Sequence, residues 1–233
     1  IRAGLDQGAN LIDTAPVYGF GRSEEIVGRA VAEHGGRERL VLATKTALNW
    51  TEDGQPYRDG RPERIRSEVE ESLRRLGTDY LDLYQVHWPD PETPIEETAE
   101  TLATLREEGK VRALGVSNHS SEQMDRFRAV APLHTTQPPY NLFEREVEHA
   151  VLPYVRDNGL GTLTYGALCR GLLTGKMRED SRFEGDDLRR VDPKFQDPRF
   201  AQYLAAVKKL DGFAREHYGR TVLELAVRWV LDQ

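Results

Sequence analysis

Short apolar runs alternate with longer amphipathic segments along the chain, and this alternation restricts the possible folds more than any other feature. Six runs are apolar or β-branched and are bounded by polar residues or glycine, which is typical of buried strands. They are Leu11–Thr14, Leu40–Thr44, Leu81–His87, Ala113–Ser117, Thr135–Pro138 and Gly161–Tyr165. Strands that alternate with helices predict a parallel sheet covered by those helices.

The segments between these runs carry helix signals. Pro62–Leu76 begins with proline at a favourable first position, ends before Gly77 and has one apolar stripe. The other predicted helices are Ser23–Glu33, Pro94–Glu108, Ser121–Val130, Glu146–Asn158, Phe200–His217 and a last helix from Thr221 onward. The polar, charged stretch Met177–Phe200 predicts a long loop or lid.

Two architectures fit this pattern, a doubly wound open sheet and a (β/α)8 TIM barrel. An open sheet that binds a dinucleotide carries G-x-G-x-x-G after its first strand, but after Gly19 and Gly21 the third glycine position is Glu24. A barrel distributes its site over the carboxyl ends of several strands, as the polar residues below suggest. We therefore expect one barrel domain over residues 1–233 that lacks the first and last strands.

Composition restricts the class of protein. Apolar residues make up 38% of the chain, charged residues 30%, and no apolar run is long enough to cross a membrane, which predicts a soluble, cytoplasmic protein. The net charge of −7 disfavours nucleic-acid binding. Cys169 is the only cysteine and is expected to be a buried, inert thiol. The histidines lie too far apart in sequence to predict a metal site.

Ionisable residues lie at the carboxyl ends of three successive predicted strands. Asp13, Lys45 and His87 end these strands, and Tyr18 lies on the loop after Asp13. Each residue alone has an ordinary structural explanation, such as a helix cap, a solvated lysine, a packed histidine or a loop anchor. Because neighbouring strands lie about 4.8 Å apart, the four together predict one small site.

The chemistry of this set suits carbonyl reduction. Lys45 and Asp13 would form a buried ion pair. A nearby ammonium favours a phenolate, so Tyr18 is suited to act as a general acid near neutral pH. His87 could donate a hydrogen bond to a carbonyl oxygen that gains negative charge.

Five motifs carry a resemblance to a known family. LIDTAPVYG, LATK, LYQVHWPD, VRALGVSN and GLLTGK occur in this order, and the chain thereby resembles the aldo-keto reductases. VHWPD and QPPYNLFERE are closest to the bacterial reductase and potassium-channel β-subunit branch. The resemblance implies a (β/α)8 barrel that binds NADP(H), with NAD(H) as an alternative, and a Tyr18 acid tuned by Lys45 and Asp13, with His87 orienting the substrate.

The resemblance also implies a cofactor site. Ser117, Asn118 and Gln137 would hold the nicotinamide carboxamide, Tyr165 would stack on its ring, and the loop of residues 166–176 would cover the pyrophosphate. The implied cofactor-contacting residues are Asp13, Ser117, Asn118, Gln137, Tyr165, Gly166, Leu168, Arg170, Gly171 and Lys176. In this family, residues after the last barrel strand recognise the adenosine 2′-phosphate of NADP(H). The preference for NADP(H) therefore rests on the resemblance.

Aromatic residues predict a substrate pocket and leave two other functions open. Trp50 follows Lys45 by five residues and Trp88 follows His87, so with Tyr18 they could enclose a small carbonyl substrate. One alternative is a cofactor-binding regulatory protein with little turnover, like the channel β-subunits. The other is a lyase or aldolase that forms a Schiff base at Lys45, which requires that lysine to lack a charge partner.

Overall fold

The computed structural model describes residues 1–233, which form two compact units. The first unit comprises Ile1–Pro138 and Ala150–Leu163, and the second comprises Pro139–His149 and Thr164–Gln233. No helix in either unit combines the length and the apolarity needed to cross a membrane.

The first unit contains a six-stranded sheet in which every neighbouring pair is parallel. Its order is β1-β2-β5-β6-β7-β8. The strands of the chain are β1 (Leu11–Asp13), β2 (Val41–Thr46), β3 (Leu48–Trp50), β4 (Pro56–Arg58), β5 (Leu81–Val86), β6 (Val111–Ser117), β7 (Thr135–Gln137) and β8 (Gly161–Thr162). The predicted parallel α/β sheet is confirmed. It is not closed into a barrel, since β1 and β8 remain edge strands, and β8 is shorter than predicted.

Between β1 and β8, the helices alternate with the strands as predicted, with one helix after each of β1, β4, β5, β6 and β7. They are α1 (Arg2–Asp6), α2 (Arg22–His34), α3 (Pro62–Leu76), α4 (Ile95–Glu107), α5 (Ser121–Arg128), α6 (Val151–Asn158), α7 (Arg199–Tyr218) and α8 (Val222–Leu231). The prediction of one helix over Glu146–Asn158 was wrong in its first part, because a separate 3-10 turn at Glu146–Glu148 precedes α6.

Behind β2, the packing of helices on the sheet includes buried carboxylates. The Thr44 hydroxyl donates to Glu24 Oε1 of α2 at 2.7 Å, and the Thr46 hydroxyl donates to Glu68 Oε2 of α3 at 2.5 Å. Both glutamates are fully buried. Arg75 forms an ion pair with Glu24 at 2.6 Å. Because side chains alternate along a strand, these contacts direct the residue between the two threonines to the opposite face.

An antiparallel hairpin of β3 and β4 follows β2, and the sequence did not predict it. It begins at Ala47, whose φ of 66° lies in the left-handed region that disfavours side chains other than glycine. The Ala47 N–H donates to Glu68 Oε2 at 3.0 Å, and its carbonyl accepts from the Asp59 N–H at 3.3 Å. Hydrogen bonds on both sides therefore hold this unfavourable conformation.

The second unit has its own core. The buried side chains are Cys169, Leu172, Leu173, Phe195, Phe200, Val207, Val222 and Ala226. The predicted loop Met177–Phe200 contains two 3-10 turns, and the two phenylalanines of its last part are buried, so its end is anchored. Cys169 is buried as expected, and burial raises the pKa of its thiol to about 12.

Candidate active site

Lys45 lies at the centre of the site in the first unit. Its ammonium is fully buried. It donates to Asp13 Oδ2 at 2.6 Å and to the Thr14 carbonyl at 3.0 Å, and it lies 5.3 Å from the centre of the Tyr18 ring. Burial lowers the pKa of Lys45, and the carboxylate of Asp13 opposes that shift. The structure therefore places a buried cation next to a tyrosine that is 43% exposed.

His87 follows β5 and completes the set. Its ring meets the Tyr18 ring edge-on, with the centroids 5.7 Å apart. Its backbone N–H donates to the Thr46 carbonyl at 2.9 Å, which ties it to the end of β2. Burial, and secondarily the charge of Lys45, lower the pKa of His87 to about 3. The imidazole is therefore neutral near neutral pH and can donate a hydrogen bond from one nitrogen.

Two glutamine amides contact the other oxygen of Asp13. Gln137 Nε2 donates to Asp13 Oδ1 at 3.1 Å, and Gln85 Nε2 donates to the same atom at 3.3 Å. Sequence reasoning missed Gln85, which lies in β5 two residues before His87. The signal was a polar residue of β5 whose side chain lies on the same face of the strand as His87, two residues later.

Ser117 and Asn118 join this network at the end of β6. Ser117 Oγ donates to the Gln137 carbonyl at 2.7 Å, and Asn118 Nδ2 donates to the His87 carbonyl at 2.9 Å. Neither caps the following helix, because Ser120 is the N-cap of α5. Both residues therefore lie next to the ionisable set, and neither serves as a helix cap.

The other residues of the expected cofactor site lie in the second unit. Tyr165 is 39% exposed, and Leu168 packs against the core of this unit. Arg170 forms an ion pair with Asp192 at 3.0 Å. Lys176 is exposed. The backbone has positive φ at Gly166, Cys169, Arg170, Gly171 and Gly175, so the segment is a tightly turned loop.

The two tryptophans of the expected pocket have contacts near the β3–β4 hairpin. Trp50 lies in β3, and its ring packs against Phe20 with the centroids 5.5 Å apart. The Arg58 guanidinium, from β4, lies 5.0 Å from the centre of the Trp88 ring. The hairpin therefore contacts Phe20, which follows Tyr18 by two residues, and Trp88, which follows His87 directly.

Comparisons with known proteins agree on one family. The model of the aldo/keto reductase family matches residues 1–233. The aldo-keto reductase YhdN of Bacillus subtilis is 66% identical over 233 residues, which are 100% of this chain and 70% of that protein. The NADH-specific methylglyoxal reductase of Escherichia coli is 37% identical, over 97% of this chain and 72% of that protein.

Solved structures show the same likeness. The glycerol dehydrogenase AKR11B4 of Gluconobacter oxydans matches with a TM-score of 0.90 and 58% identity, over 99% of this chain and 71% of that chain. An aldo/keto reductase of Klebsiella pneumoniae, solved in complex with NADP and acetate, matches with a TM-score of 0.71 and 31% identity. That match covers 100% of this chain and 69% of the other.

Proposed function

The chain belongs to the aldo/keto reductase family, and from that premise we propose that it reduces aldehydes or ketones reversibly to alcohols with NADP(H). The observation that carries the proposal is the buried Lys45 ammonium, which lies 2.6 Å from Asp13 and 5.3 Å from the Tyr18 ring. We also propose that residues 1–233 form a single domain with the fold of a (β/α)8 barrel that lacks its first and last strands.

Tyr18 is the proposed general acid. Negative charge develops on the carbonyl oxygen during reduction, and a phenol can deliver a proton to it. The Lys45 cation stabilises the phenolate that remains, because an opposite charge nearby favours an ionised group. Asp13 keeps the ammonium in place and offsets its burial.

His87 has the proposed role of orienting the substrate. A neutral imidazole donates one hydrogen bond without releasing a proton, and the pKa of about 3 keeps His87 neutral through the working range of pH. A preorganised donor aimed at the oxygen that gains charge lowers the barrier. Together with the aromatic rings of Tyr18, Trp50 and Trp88, it would form the substrate pocket.

The residues present fit the nicotinamide end of the cofactor. Ser117 at the end of β6, Asn118 after it and Gln137 on β7 supply hydroxyl and amide groups, and Gln137 contacts Asp13. A carboxamide needs both donors and acceptors. In the second unit, the exposed ring of Tyr165 offers a stacking surface. Residues Gly166, Leu168, Arg170, Gly171 and Lys176 would hold the pyrophosphate. When bound, the cofactor supplies the hydride.

Relatives and geometry weigh against the two alternatives. The relatives compared above are described as reductases or as a dehydrogenase, which favours turnover over a purely regulatory role. A Schiff-base mechanism needs an unpaired lysine, whereas Lys45 is paired with Asp13. The choice of cofactor is open to test, because one relative is described as NADH-specific and another was solved with NADP.

The decisive variant is Tyr18→Phe, which removes one hydroxyl. We expect aldehyde reduction, followed by the loss of NADPH absorbance, to fall by at least about 100-fold, the lower range for general acid catalysis. Cofactor affinity, measured by quenching of tryptophan fluorescence, should stay within about twofold because no binding contact of the ring is lost. The matched control is Tyr218→Phe, at an exposed tyrosine that ends α7. Full activity in Tyr18→Phe would refute the proposed acid.

A further inference from the structure

Gln85 contacts the catalytic carboxylate but has no role in the proposed mechanism. It is fully buried. Its Nε2 lies 3.3 Å from Asp13 Oδ1, and Gln137 Nε2 lies 3.1 Å from the same oxygen. Asp13 Oδ2 faces Lys45 at 2.6 Å. One carboxylate oxygen of Asp13 therefore contacts the Lys45 ammonium, and the other accepts hydrogen bonds from the amides of Gln85 on β5 and Gln137 on β7.

The neighbouring strand leaves space for the Gln85 side chain. A Cβ atom at Gly115 of β6 would lie 2.8 Å from Gln85 Cγ and 2.4 Å from Thr135 Oγ1. The backbone of Gly115 is not in the left-handed region, so its conformation does not require glycine. The lack of a side chain at Gly115 instead provides the room in which Gln85 reaches Asp13.

The Gln85 amide lowers the stability of the folded protein. Its Oε1 is buried without a hydrogen-bond partner, and an unpaired buried acceptor destabilises the folded state. An apolar side chain of the same length would avoid that loss. The contact that explains the amide is therefore the one that Nε2 makes with Asp13.

We propose that Gln85 is a positioning residue that keeps Asp13 beside Lys45 when Gln137 turns to the carboxamide of the cofactor. The inference rests on the proposed function, because Gln137 leaves Asp13 Oδ1 only if it binds the cofactor. In the free protein two amides hold the carboxylate. In the bound protein Gln85 is the donor that stays.

The consequence is a change in the titration of Lys45. The groups that face its ammonium are the Asp13 carboxylate and Thr14 carbonyl from the β1 side, the Tyr18 ring and, next to that ring, His87 after β5. Asp13 raises the pKa of Lys45 against the effect of burial. If Asp13 loses its last amide donor, the ion pair weakens, the pKa of Lys45 falls and the alkaline limb of the activity profile moves to lower pH.

Two matched variants separate the roles of the two amides. Gln85→Met and Gln137→Met each remove one amide while keeping the side-chain length, and Gln85→Met also removes the unpaired Oε1, so it should fold. We expect Gln137→Met to raise the Kd for NADP(H) about 10-fold, as loss of one hydrogen bond would, with the alkaline limb of kcat/KM unchanged. Gln85→Met should leave that Kd within about twofold and shift the limb by roughly one pH unit, a shift that corresponds to a tenfold change in ionisation.

A measurement without cofactor keeps the inference independent of turnover. In the free protein, the Lys45 ammonium is followed by 15N NMR as pH rises in wild type, in both single variants and in the double variant. Each single variant should shift the titration less than the double variant does, because one amide remains. Identical titrations in all four proteins, or an unchanged alkaline limb in Gln85→Met, would overturn the role of Gln85. Failure of the wild type to bind either nicotinamide cofactor would refute the proposed function.

Discussion

The neutral state of His87 can be tested through the pH dependence of stability. Its folded pKa is about 3, compared with 6.5 for an unperturbed histidine. Between these values the unfolded chain binds more protons than the folded protein, so stability falls as pH falls below 6.5. At pH 5 the unfolded state gains about 2 kcal/mol from protonating this one imidazole, whereas the folded state gains almost nothing.

The perturbation is His87→Gln, and the assay is urea unfolding at pH 7.5 and at pH 5. From the higher to the lower pH, the wild type should lose about 2 kcal/mol more unfolding free energy than the variant. His119→Gln is a parallel test at a second histidine. His119 is also buried, burial lowers its pKa to about 4, and the same sign of effect follows. Equal losses in the wild type and in His87→Gln, or an NMR titration of His87 near 6.5, would refute the assignment of a neutral imidazole.

Three further predictions concern buried residues. Arg75→Met should cost about 3–5 kcal/mol of unfolding free energy in urea, because it leaves the buried Glu24 carboxylate without its cation; a loss below 1 kcal/mol would contradict this. Gly28→Ala should cost about 1–3 kcal/mol by the same assay, because the new Cβ would lie 2.6 Å from the Arg75 carbonyl oxygen. Cys169 should not react with an aromatic disulfide reagent at neutral pH until the protein unfolds, because its thiol is buried with a pKa of about 12; rapid labelling of the native protein would count against that.

Local signals predicted the regular elements well. The prediction for α3, Pro62–Leu76, agrees with the structure at both ends, because proline begins the helix and Gly77 ends it with a φ of 65°. The β3–β4 hairpin was missed because its two strands have three residues each and one of them includes proline. Such short strands depend on pairing and on the buried Glu68, which lies far from them in sequence.

The site was predicted where its residues directly follow apolar runs of the sequence. Lys45 and His87 follow such runs, whereas Gln85 lies within β5, a strand that also contains the polar residue Asp82. Glu24 and Glu68 are charged residues of amphipathic helices, where charged side chains usually face solvent, yet both are fully buried. They contact the hydroxyls of β2 because the helices pack on the sheet. The apolar periodicity of a single helix gives no information about that packing.

The two threonine–glutamate contacts behind β2 also bear on the fidelity of folding. A strand that shifts by one residue turns every side chain to the other face, and such an error would bury Lys45 against the helices. It would also leave Glu24 and Glu68 without their hydroxyl donors, and losing a hydrogen bond to a buried charged group costs about 1.5–3 kcal/mol. Misregistered forms of β2 should therefore be rare. Substitutions at Thr44 or Thr46 are then expected to lower the yield of correctly folded protein even though neither residue would touch a substrate.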